Sequence, residues 1–195
     1  MELPWIIDQR KALHTMQLLL PTQPKQHCHN NFVYTDGPCS DQARPEIRRA
    51  GCGIYFEEQF PGMSFPLPGQ DQSAPRSELW AAIVAIHVTT GSLTLCIDCK
   101  YVVQALLALL AHPDIDVAHW DNSDLWHIMR AVINDHDGDI IVRKVKGHAK
   151  TSQCQGNPEL TRDKQGNDKA DKLAVDAVHM HTLSADMRRE FYKQA

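Results

Sequence analysis

Three acidic residues stand where predicted elements of secondary structure begin or end. Asp36 ends the apolar run FVYTD, Glu78 lies at the start of a predicted helix, and Asp98 ends the apolar run LTLCID. In open α/β sheets, ligand sites gather beyond the carboxyl ends of strands, so Asp36 and Asp98 would lie side by side if their strands are neighbours. Asp171, in the predicted first turn of the last helix with Asn167 as its cap, would complete the set. Clustered carboxylates are the ligands that hard divalent cations such as Mg²⁺ require.

Taken singly, each carboxylate also has an ordinary structural interpretation. An Asp after a strand is often a turn residue, and a Glu at a helix start often interacts with the helix dipole. The segment VKGH, which ends in His148, precedes a long polar stretch and adds a titratable side chain to the set. The structural interpretation would then need several coincidences.

The elements that must position these residues follow an α/β pattern. An N-terminal helix and a polar linker are predicted first. The order after them is strand, strand, strand, helix, strand, helix, helix, strand, helix, which indicates a mixed sheet. The glycines of AGCGIYFEE suit a twisted or closely packed sheet. Residues 149–166 are predicted to form a polar loop, longer than a simple connection needs. The predicted ranges are 3–20, 32–36, 50–58, a short strand within 60–72, 77–90 with Arg76 just before it, 93–98, 100–112, 122–134, 139–147 and 166–180.

Composition excludes some classes of protein. The 195 residues carry a formal net charge of −4, which lacks the strongly basic footprint of a protein that holds nucleic acid by charge alone. The first 20 residues have charges inside their apolar run and match neither a signal peptide nor a bilayer span. We expect a soluble, intracellular protein without a membrane partner, and the sequence does not distinguish nucleus from cytoplasm.

The six cysteines lack the dense spacing of a secreted disulfide framework, which favours a reducing compartment. Cys96 and Cys99 could form half of a zinc site or a redox pair. No second ligand pair follows at a suitable spacing, so a structural role is favoured. The cluster formed by His27, Cys28 and His29 is interpreted as a solvated loop.

Six motifs occur in the order and structural contexts of one known family. They are YTDGPCS, RSELWAAIVAI, LCIDCKYVVQAL, NSDLW, VKGHA and GNDKADKLA. Through them the chain resembles the type 1 ribonucleases H, including those attached to retroelement polymerases. The resemblance implies a ribonuclease H-like fold, with a five-stranded mixed sheet flanked by helices, as a catalytic domain over residues 31–180. Residues 1–30 would form an N-terminal helix and linker, and residues 181–195 a C-terminal helical extension.

The resemblance also implies an activity, the hydrolysis of the RNA strand of RNA:DNA hybrids to leave 3′-hydroxyl and 5′-phosphate ends. It carries the family's metal ligands onto Asp36, Glu78, Asp98 and Asp171, and its catalytic histidine onto His148. Two Mg²⁺ ions, which Mn²⁺ can replace, would lie about 4 Å apart. By this resemblance Asp36 bridges the ions, Asp171 serves the nucleophile side, and Glu78 and Asp98 serve the leaving-group side. An imidazole titrates near neutral pH, which suits His148 to proton transfer or product departure.

Substrate contacts are implied in the same way. Hybrid selectivity requires 2′-hydroxyls to be read across the minor groove, because backbone charge cannot distinguish RNA from DNA. Hydroxyl and amide groups are suitable donors to a phosphate of the DNA strand. The predicted substrate-binding residues are Gly37, Cys39, Gln42, Ser73, Arg76, Asn122 and Asn167, of which Ser73 and Asn122 would hold that phosphate.

The chain departs from the family pattern at two places. Ala74 and Pro75 replace amide side chains that many cellular members place in the minor groove. Residues 105–121 contain no Lys or Arg, whereas many cellular enzymes carry a basic protrusion there. We therefore expect a monomer that binds hybrids weakly by itself, mainly through residues 143–150 and metal-mediated contacts, beside a polymerase or polyprotein partner.

Two other functions remain open from the sequence. The first is a non-catalytic nucleic-acid-binding module that keeps the fold, which the missing basic protrusion favours. The second is another nuclease or an integrase of the same superfold. It is disfavoured because such relatives usually lack the VKGH segment and the pattern that begins at Asp98.

Overall fold

The computed structural model describes residues 19–29, 31–40, 47–57 and 60–181. The described residues form eight strands and five helices. The strands are β1 (Gln26–His27), β2 (Asn31–Asp36), β3 (Cys39–Ser40), β4 (Arg49–Phe56), β5 (Met63–Pro66), β6 (Thr89–Thr90), β7 (Leu93–Ile97) and β8 (Ile140–Lys144). The helices are α1 (Ala74–His87), α2 (Lys100–Ala111), α3 (Ser123–Asn134), α4 (Thr151–Cys154) and α5 (Pro158–His179).

The main sheet has six strands, of which β2 and β3 lie end to end and together occupy one of its five places. β2 and β7 are parallel, β7 and β8 are parallel, and β4 is antiparallel to β2. β3 continues the pairing of β2 with β4 in the same register, since Asp36 lies opposite Gly53 and Cys39 opposite Ala50. β5 pairs with the other side of β4. The predicted five-stranded mixed sheet is therefore confirmed, and one of its strands is interrupted immediately after Asp36.

Helices cover both faces of this sheet. Alternate strand residues point to opposite faces, so Val33 packs in the large core with α1, α2 and α3, whereas Tyr34 packs in a smaller core beneath α5. α1 begins after Ser73, whose hydroxyl accepts the Arg76 N–H at 3.4 Å. Residues 76–86 of α1 are all buried. This central helix carries Glu78, so the metal-ligand candidate is fixed by the core itself.

Two glycines of β4 allow α5 to lie directly on the sheet. A Cβ added to Gly51 would lie 2.1 Å from the carbonyl oxygen of Ala174, and one added to Gly53 would lie 2.1 Å from that of Ala170. Any larger residue would push the helix away. The expectation that these glycines serve close packing is therefore confirmed, and the contact fixes the height of α5 above the sheet.

The last helix is longer than the sequence predicts. It begins at Pro158, and α4 precedes it, so residues 149–166 do not form a long loop. Asn157 is the cap, because its side chain accepts the Leu160 N–H at 3.1 Å. The prediction that Asn167 caps the helix was wrong, and Asp171 lies in mid-helix. Most residues of the first turns are exposed, so no apolar periodicity revealed the helix.

The segment before the main sheet is joined to the body of the protein. β1 pairs parallel with β6, and Lys25 forms an ion pair with Asp135 at 2.9 Å. Cys28 is 2% exposed, so it is not part of a solvated loop as the sequence suggested. The predicted helix over residues 3–20 and the extension over 181–195 lie almost entirely outside the described residues. Within the described part, every helix is too short or too polar to cross a membrane.

Candidate metal centre

Asp36 and Asp98 leave the sheet side by side. Thr35 of β2 is paired with Ile97 of the parallel neighbour β7, and the two aspartates are the next residues along each chain. The two strands are therefore neighbours, which is the condition under which the two carboxylates were expected to lie side by side. One carboxylate oxygen of Asp36 accepts the N–H of Gly37 at 2.7 Å. That hydrogen bond limits the orientation of the carboxylate at the interruption of the strand.

Glu78 joins the two aspartates from α1. Ligand atoms of Asp36, Glu78 and Asp98 all lie within 4.8 Å of one another. The approach of α1 depends on Gly37, since a Cβ there would lie 2.2 Å from the backbone nitrogen of Glu78. In the sequence these three carboxylates lie at the ends of separate elements. The fold brings them into one cluster.

Asp171 reaches the cluster from the opposite face of the sheet. It lies on α5, whose backbone contacts Gly53, the residue paired with Asp36. Its carboxylate is close enough to Asp36 to raise the pKa of Asp36 by repulsion, but it is not one of the three whose ligand atoms all lie within 4.8 Å of one another. Asp171 is half-buried, whereas Asp36 and Glu78 are buried. All four predicted ligands therefore lie at one end of the sheet, with Asp171 contributed by the second helical layer.

Two of these carboxyl groups have raised pKa values. Burial, reinforced by repulsion from Asp98 and Asp171, raises the pKa of Asp36 to about 7, although the Gly37 N–H opposes the shift. Burial, followed by repulsion from Asp36 and Asp98, raises the pKa of Glu78 well above its usual value. Like charges gathered in a buried place disfavour ionisation. A bound cation would reverse that effect.

The donor set fits a hard divalent cation. Glu78 Oε2 is buried and has no hydrogen-bond partner among the described residues, and such an oxygen is costly unless something else satisfies it. All the candidate ligands are carboxylate oxygens, which Mg²⁺ and Mn²⁺ accept readily. The unsatisfied oxygen and the like charges together are what a bound cation would resolve.

His148 follows β8 on a turn beside the cluster. The turn is tied to the cluster by Gly147, at which a Cβ would lie 2.2 Å from Asp98 Oδ2. His148 is exposed and has a φ of 49°, a left-handed conformation that is uncommon outside glycine. His148 therefore lies next in the chain to a residue that packs against Asp98, on a turn of unusual conformation, and it is exposed to solvent.

Two of the predicted substrate-binding residues, Arg76 and Asn122, contact each other. Arg76 Nη1 donates to Asn122 Oδ1 at 3.3 Å, and its guanidinium forms a bidentate ion pair with Asp124. Asn122 has a φ of 58° and precedes α3. Arg76 is the third residue of α1, not a residue before the helix. The ion pair neutralises the charge of Arg76, which the sequence interpretation expected to contact the substrate.

The remaining predicted substrate residues are spread around the cluster. Gly37 and Cys39 flank the interruption between β2 and β3. Asn167 is 1% exposed on α5, one turn before Asp171, and its Oδ1 has no partner among the described residues. Gln42 lies outside the described residues. Gly37 and Cys39 are next to the carboxylates in the chain, while Asn167 faces the interior.

Part of the basic segment 143–150 is engaged within the protein. Arg143 Nη2 forms an ion pair with Asp163 at 2.9 Å, and Lys146 donates to Gln153 at 3.0 Å. Arg143 also donates to Glu159. These contacts attach the segment to α4 and α5. The charge left to meet a polyanion is lower than the sequence suggests.

Sequence reasoning missed three residues that shape the cluster. Ser77 donates to the carbonyl oxygen of Gly37, Asp124 binds Arg76, and Gly147 contacts Asp98. Each lies inside a motif that was noted for a neighbouring residue. Their contacts join segments that are distant in sequence, so only the fold reveals them.

The comparisons with known proteins agree with this architecture. The family model for RNase H matches residues 29–179. A ribonuclease H of Schizosaccharomyces pombe is 33% identical over 122 residues, covering 60% of this chain and 46% of that protein. A ribonuclease H of Erwinia tasmaniensis is 29% identical over 149 residues, covering 72% of this chain and 92% of that protein. The chain thus spans less than half of the yeast relative's length.

Solved structures show the same fold. The protease-reverse transcriptase of prototype foamy virus superposes with a TM-score of 0.60 at 22% identity, covering 83% of this chain and 22% of that chain. At this identity the likeness concerns the fold alone. The mixed sheet with helices on both faces and a carboxylate cluster at the strand ends defines an α/β protein of ribonuclease H-like fold. The chain belongs to the ribonuclease H family.

Proposed function

We propose that this protein is a metal-dependent endonuclease that hydrolyses the RNA strand of RNA:DNA hybrids and leaves 3′-hydroxyl and 5′-phosphate ends. The observation that carries the proposal is the cluster of Asp36, Glu78 and Asp98, with ligand atoms within 4.8 Å of one another. Membership of the ribonuclease H family supports the substrate class, since two relatives bear the name ribonuclease H.

In this proposal Asp36, Glu78, Asp98 and Asp171 hold two divalent cations, Mg²⁺ or Mn²⁺. Bound there, the cations would activate a water molecule and neutralise the charge that develops on the leaving 3′ oxygen. Asp36 would be the ligand common to both ions, which is supported by its nearness to Glu78 and Asp98 and by the influence of both Asp98 and Asp171 on its pKa. His148 moves a proton at the exposed side of the cluster, where solvent has access.

Substrate recognition in this proposal uses groups around the interrupted strand. The backbone at Gly37 and Cys39 and the side chain of Gln42 contact the RNA strand, and Ser73 and Asn122 contact a phosphate of the DNA strand. Arg76 orients Asn122 through their hydrogen bond of 3.3 Å. Asn167 is buried one turn before Asp171, so in this proposal it supports substrate binding from within the protein and not from its surface.

The test is cleavage of an end-labelled hybrid. Purified protein with Mg²⁺, and separately with Mn²⁺, should cut the RNA strand and leave 3′-hydroxyl and 5′-phosphate ends. Asp36→Asn should abolish cleavage. Asp176→Asn, an exposed carboxylate on α5, is the matched control and should cleave like the wild type. A folded wild-type protein that cuts no hybrid with either metal would overturn the proposal.

A second candidate is a nucleic-acid-binding module without turnover. The pairing of Arg76 with Asp124 and of Arg143 with Asp163 favours it, because both leave less charge for substrate. It predicts hybrid binding that survives Asp98→Asn, with no product from the wild type. The cleavage assay therefore separates the two candidates, and a duplex DNA substrate in the same assay tests for a nuclease of other specificity.

We also infer that the monomeric chain binds hybrids weakly and works beside a polymerase or another module of a polyprotein. Residues 105–121 contain no Lys or Arg and present the exposed carboxylates of Asp114, Asp116 and Asp121. Few phosphate contacts give a shallow dependence of affinity on salt. Fluorescence anisotropy with a labelled hybrid across a salt series measures that slope, and a steep slope would contradict the inference.

A further inference from the structure

A buried hydroxyl links the strand that ends in Asp36 to the helix that carries Glu78. Ser77 is fully buried, and its Oγ donates to the carbonyl oxygen of Gly37 at 2.5 Å. Gly37 follows Asp36 in the chain, and Ser77 precedes Glu78. The hydrogen bond therefore joins the immediate neighbours of two candidate metal ligands that come from different elements.

Gly37 is held on both sides by this arrangement. Its N–H donates to Asp36 Oδ1 at 2.7 Å, while its carbonyl accepts from Ser77. A Cβ at Gly37 would lie 2.2 Å from the nitrogen of Glu78, so the backbone already lies against the first turns of α1. A change in the position of Gly37 would move both the Asp36 carboxylate and the contact with Glu78.

The hydroxyl also lies near carbonyls of its own helix. Ser77 Oγ is 3.1 Å from the carbonyl oxygen of Ser73 and 3.0 Å from that of Ala74. Serine in a helix often bonds back to the preceding turn in this way. The contact with Gly37 is the shortest of the three, and a hydroxyl has a single proton to donate. The geometry therefore favours the link between elements over the local contact.

The cluster depends on such a link because its members come from different elements. Asp36 ends β2 and Glu78 lies on α1, and their ligand atoms lie within 4.8 Å of each other, so a shift of α1 away from the strand end would separate them. Loss of a group that holds a metal ligand in place typically weakens metal binding about 10- to 100-fold. We propose that Ser77 is a positioning residue for the metal centre, which fixes the separation of Asp36 and Glu78 through the carbonyl of Gly37. This inference rests on the metal binding in the proposed function.

The test measures metal affinity directly. Mn²⁺ is titrated into the metal-free protein, and free Mn²⁺ is followed by electron paramagnetic resonance. Ser77→Ala should weaken Mn²⁺ binding about tenfold, and Ser77→Thr, which keeps the hydroxyl, should restore most of it. Hydrogen exchange of the Gly37 amide in metal-free protein should become faster in Ser77→Ala, since the hydrogen bond from Ser77 to the Gly37 carbonyl is lost.

Thr89→Val is the matched control. Thr89 is also fully buried and lies beyond the far end of α1. Among the described residues its hydroxyl bonds to the helix carbonyls of Ala85 and Ile86, at 2.8 and 3.2 Å. This variant should lose stability but keep the wild-type affinity for Mn²⁺. Equal weakening in Ser77→Ala and Thr89→Val would overturn the proposal, because the effect would then come from α1 as a whole.

A folded Ser77→Ala protein with wild-type Mn²⁺ affinity would also overturn it. If that variant does not fold, Ser77→Cys takes its place, because a thiol is a weak donor; weakened binding is again expected and wild-type affinity again contradicts the proposal. A wild-type protein that binds Mn²⁺ but cuts no hybrid would refute the proposed function and leave the role of Ser77 standing.

Discussion

Gly147 lies so close to Asp98 that a Cβ on the glycine would fall 2.2 Å from Asp98 Oδ2. The glycine thereby joins the turn that carries His148 to the carboxylate cluster. Its backbone does not have the positive φ that glycine alone adopts easily, so space is the reason for glycine at this position. The turn that carries His148 therefore packs directly against the Asp98 carboxylate.

Gly147→Ala should therefore displace either the turn or the Asp98 carboxylate. We expect Mg²⁺ binding about tenfold weaker than in the wild type, because a ligand is no longer held in place. Calorimetric titration of the metal-free protein measures this. Lys146→Ala, at an exposed neighbouring position, is the control and should bind Mg²⁺ like the wild type; a Gly147→Ala protein with unchanged affinity would contradict the interpretation.

Asp36 should make the stability of the metal-free protein depend on pH. Its pKa is raised from 3.8 to about 7, so between these values the folded protein binds more protons than the unfolded chain. The contribution of Asp36 to the free energy of unfolding is then complete at acid pH and is lost as the pH rises from about 4 to about 7.

Asp36→Asn removes the titrating group, and with it the decrease in the free energy of unfolding that Asp36 causes as the pH rises. In EDTA, the variant should become more stable relative to the wild type as the pH rises, and Mg²⁺ should stabilise the wild type more than the variant at neutral pH. Urea unfolding across this pH range measures both effects, with Asp176→Asn as the control. A difference in stability between variant and wild type that stays constant with pH would argue against the raised pKa.

Cys99 caps α2 without using its side chain. It occupies the N-cap position with an extended backbone, and no side-chain hydrogen bond to the helix is made. Serine at this position accepts a helix N–H far better than a thiol does. Cys99→Ser should therefore raise the free energy of unfolding by about 0.5 to 1 kcal/mol, measured by urea denaturation.

Asn157→Ala provides the opposite change at another helix start. The Asn157 side chain accepts the Leu160 N–H at 3.1 Å, and its loss should cost about 1 kcal/mol. If Cys99→Ser leaves stability unchanged while Asn157→Ala lowers it, the start of α2 is held by packing instead of capping.

The Arg76–Asp124 pair should stabilise the junction of α1 and α3. The side chains are 9% and 29% exposed, with nitrogen and oxygen 2.5 Å apart. Burial alone would raise the pKa of Asp124, but the Arg76 guanidinium outweighs it and holds that pKa below its usual value. The stability from this pair is thus present at neutral pH and is lost as the pH falls through the carboxyl pKa.

Arg76→Ala should cost about 2 to 4 kcal/mol, because it leaves a partly buried carboxylate without its partner. Arg76→Ala with Asp124→Ala should cost less than the sum of the single changes. Arg76→Lys keeps the charge but not the bidentate geometry and should recover only part of the loss. Additive effects in the urea-unfolding cycle would show that the pair contributes no coupling.

The sequence by itself determined the chemistry of the site and the order of the elements. Carboxylates at strand ends, apolar runs at strand and helix spacing, and the glycines of β4 are local signals, and they sufficed for the mixed sheet and for Asp36, Glu78 and Asp98 as candidates. Local signals failed for the start of α5, because a polar, exposed helix end has no apolar period. Asn167 was misplaced for that reason.

The tertiary structure alone decided which of these groups meet and which are occupied. Parallel pairing of β2 with β7 set Asp36 beside Asp98, the close contact of α5 with Gly53 brought Asp171 to the other face, and Ser77 tied α1 to the strand end. The same packing pairs the Arg76 guanidinium with Asp124, so its charge is not left for a substrate. Contacts between residues far apart in sequence depend on how whole layers pack, and no short motif encodes that.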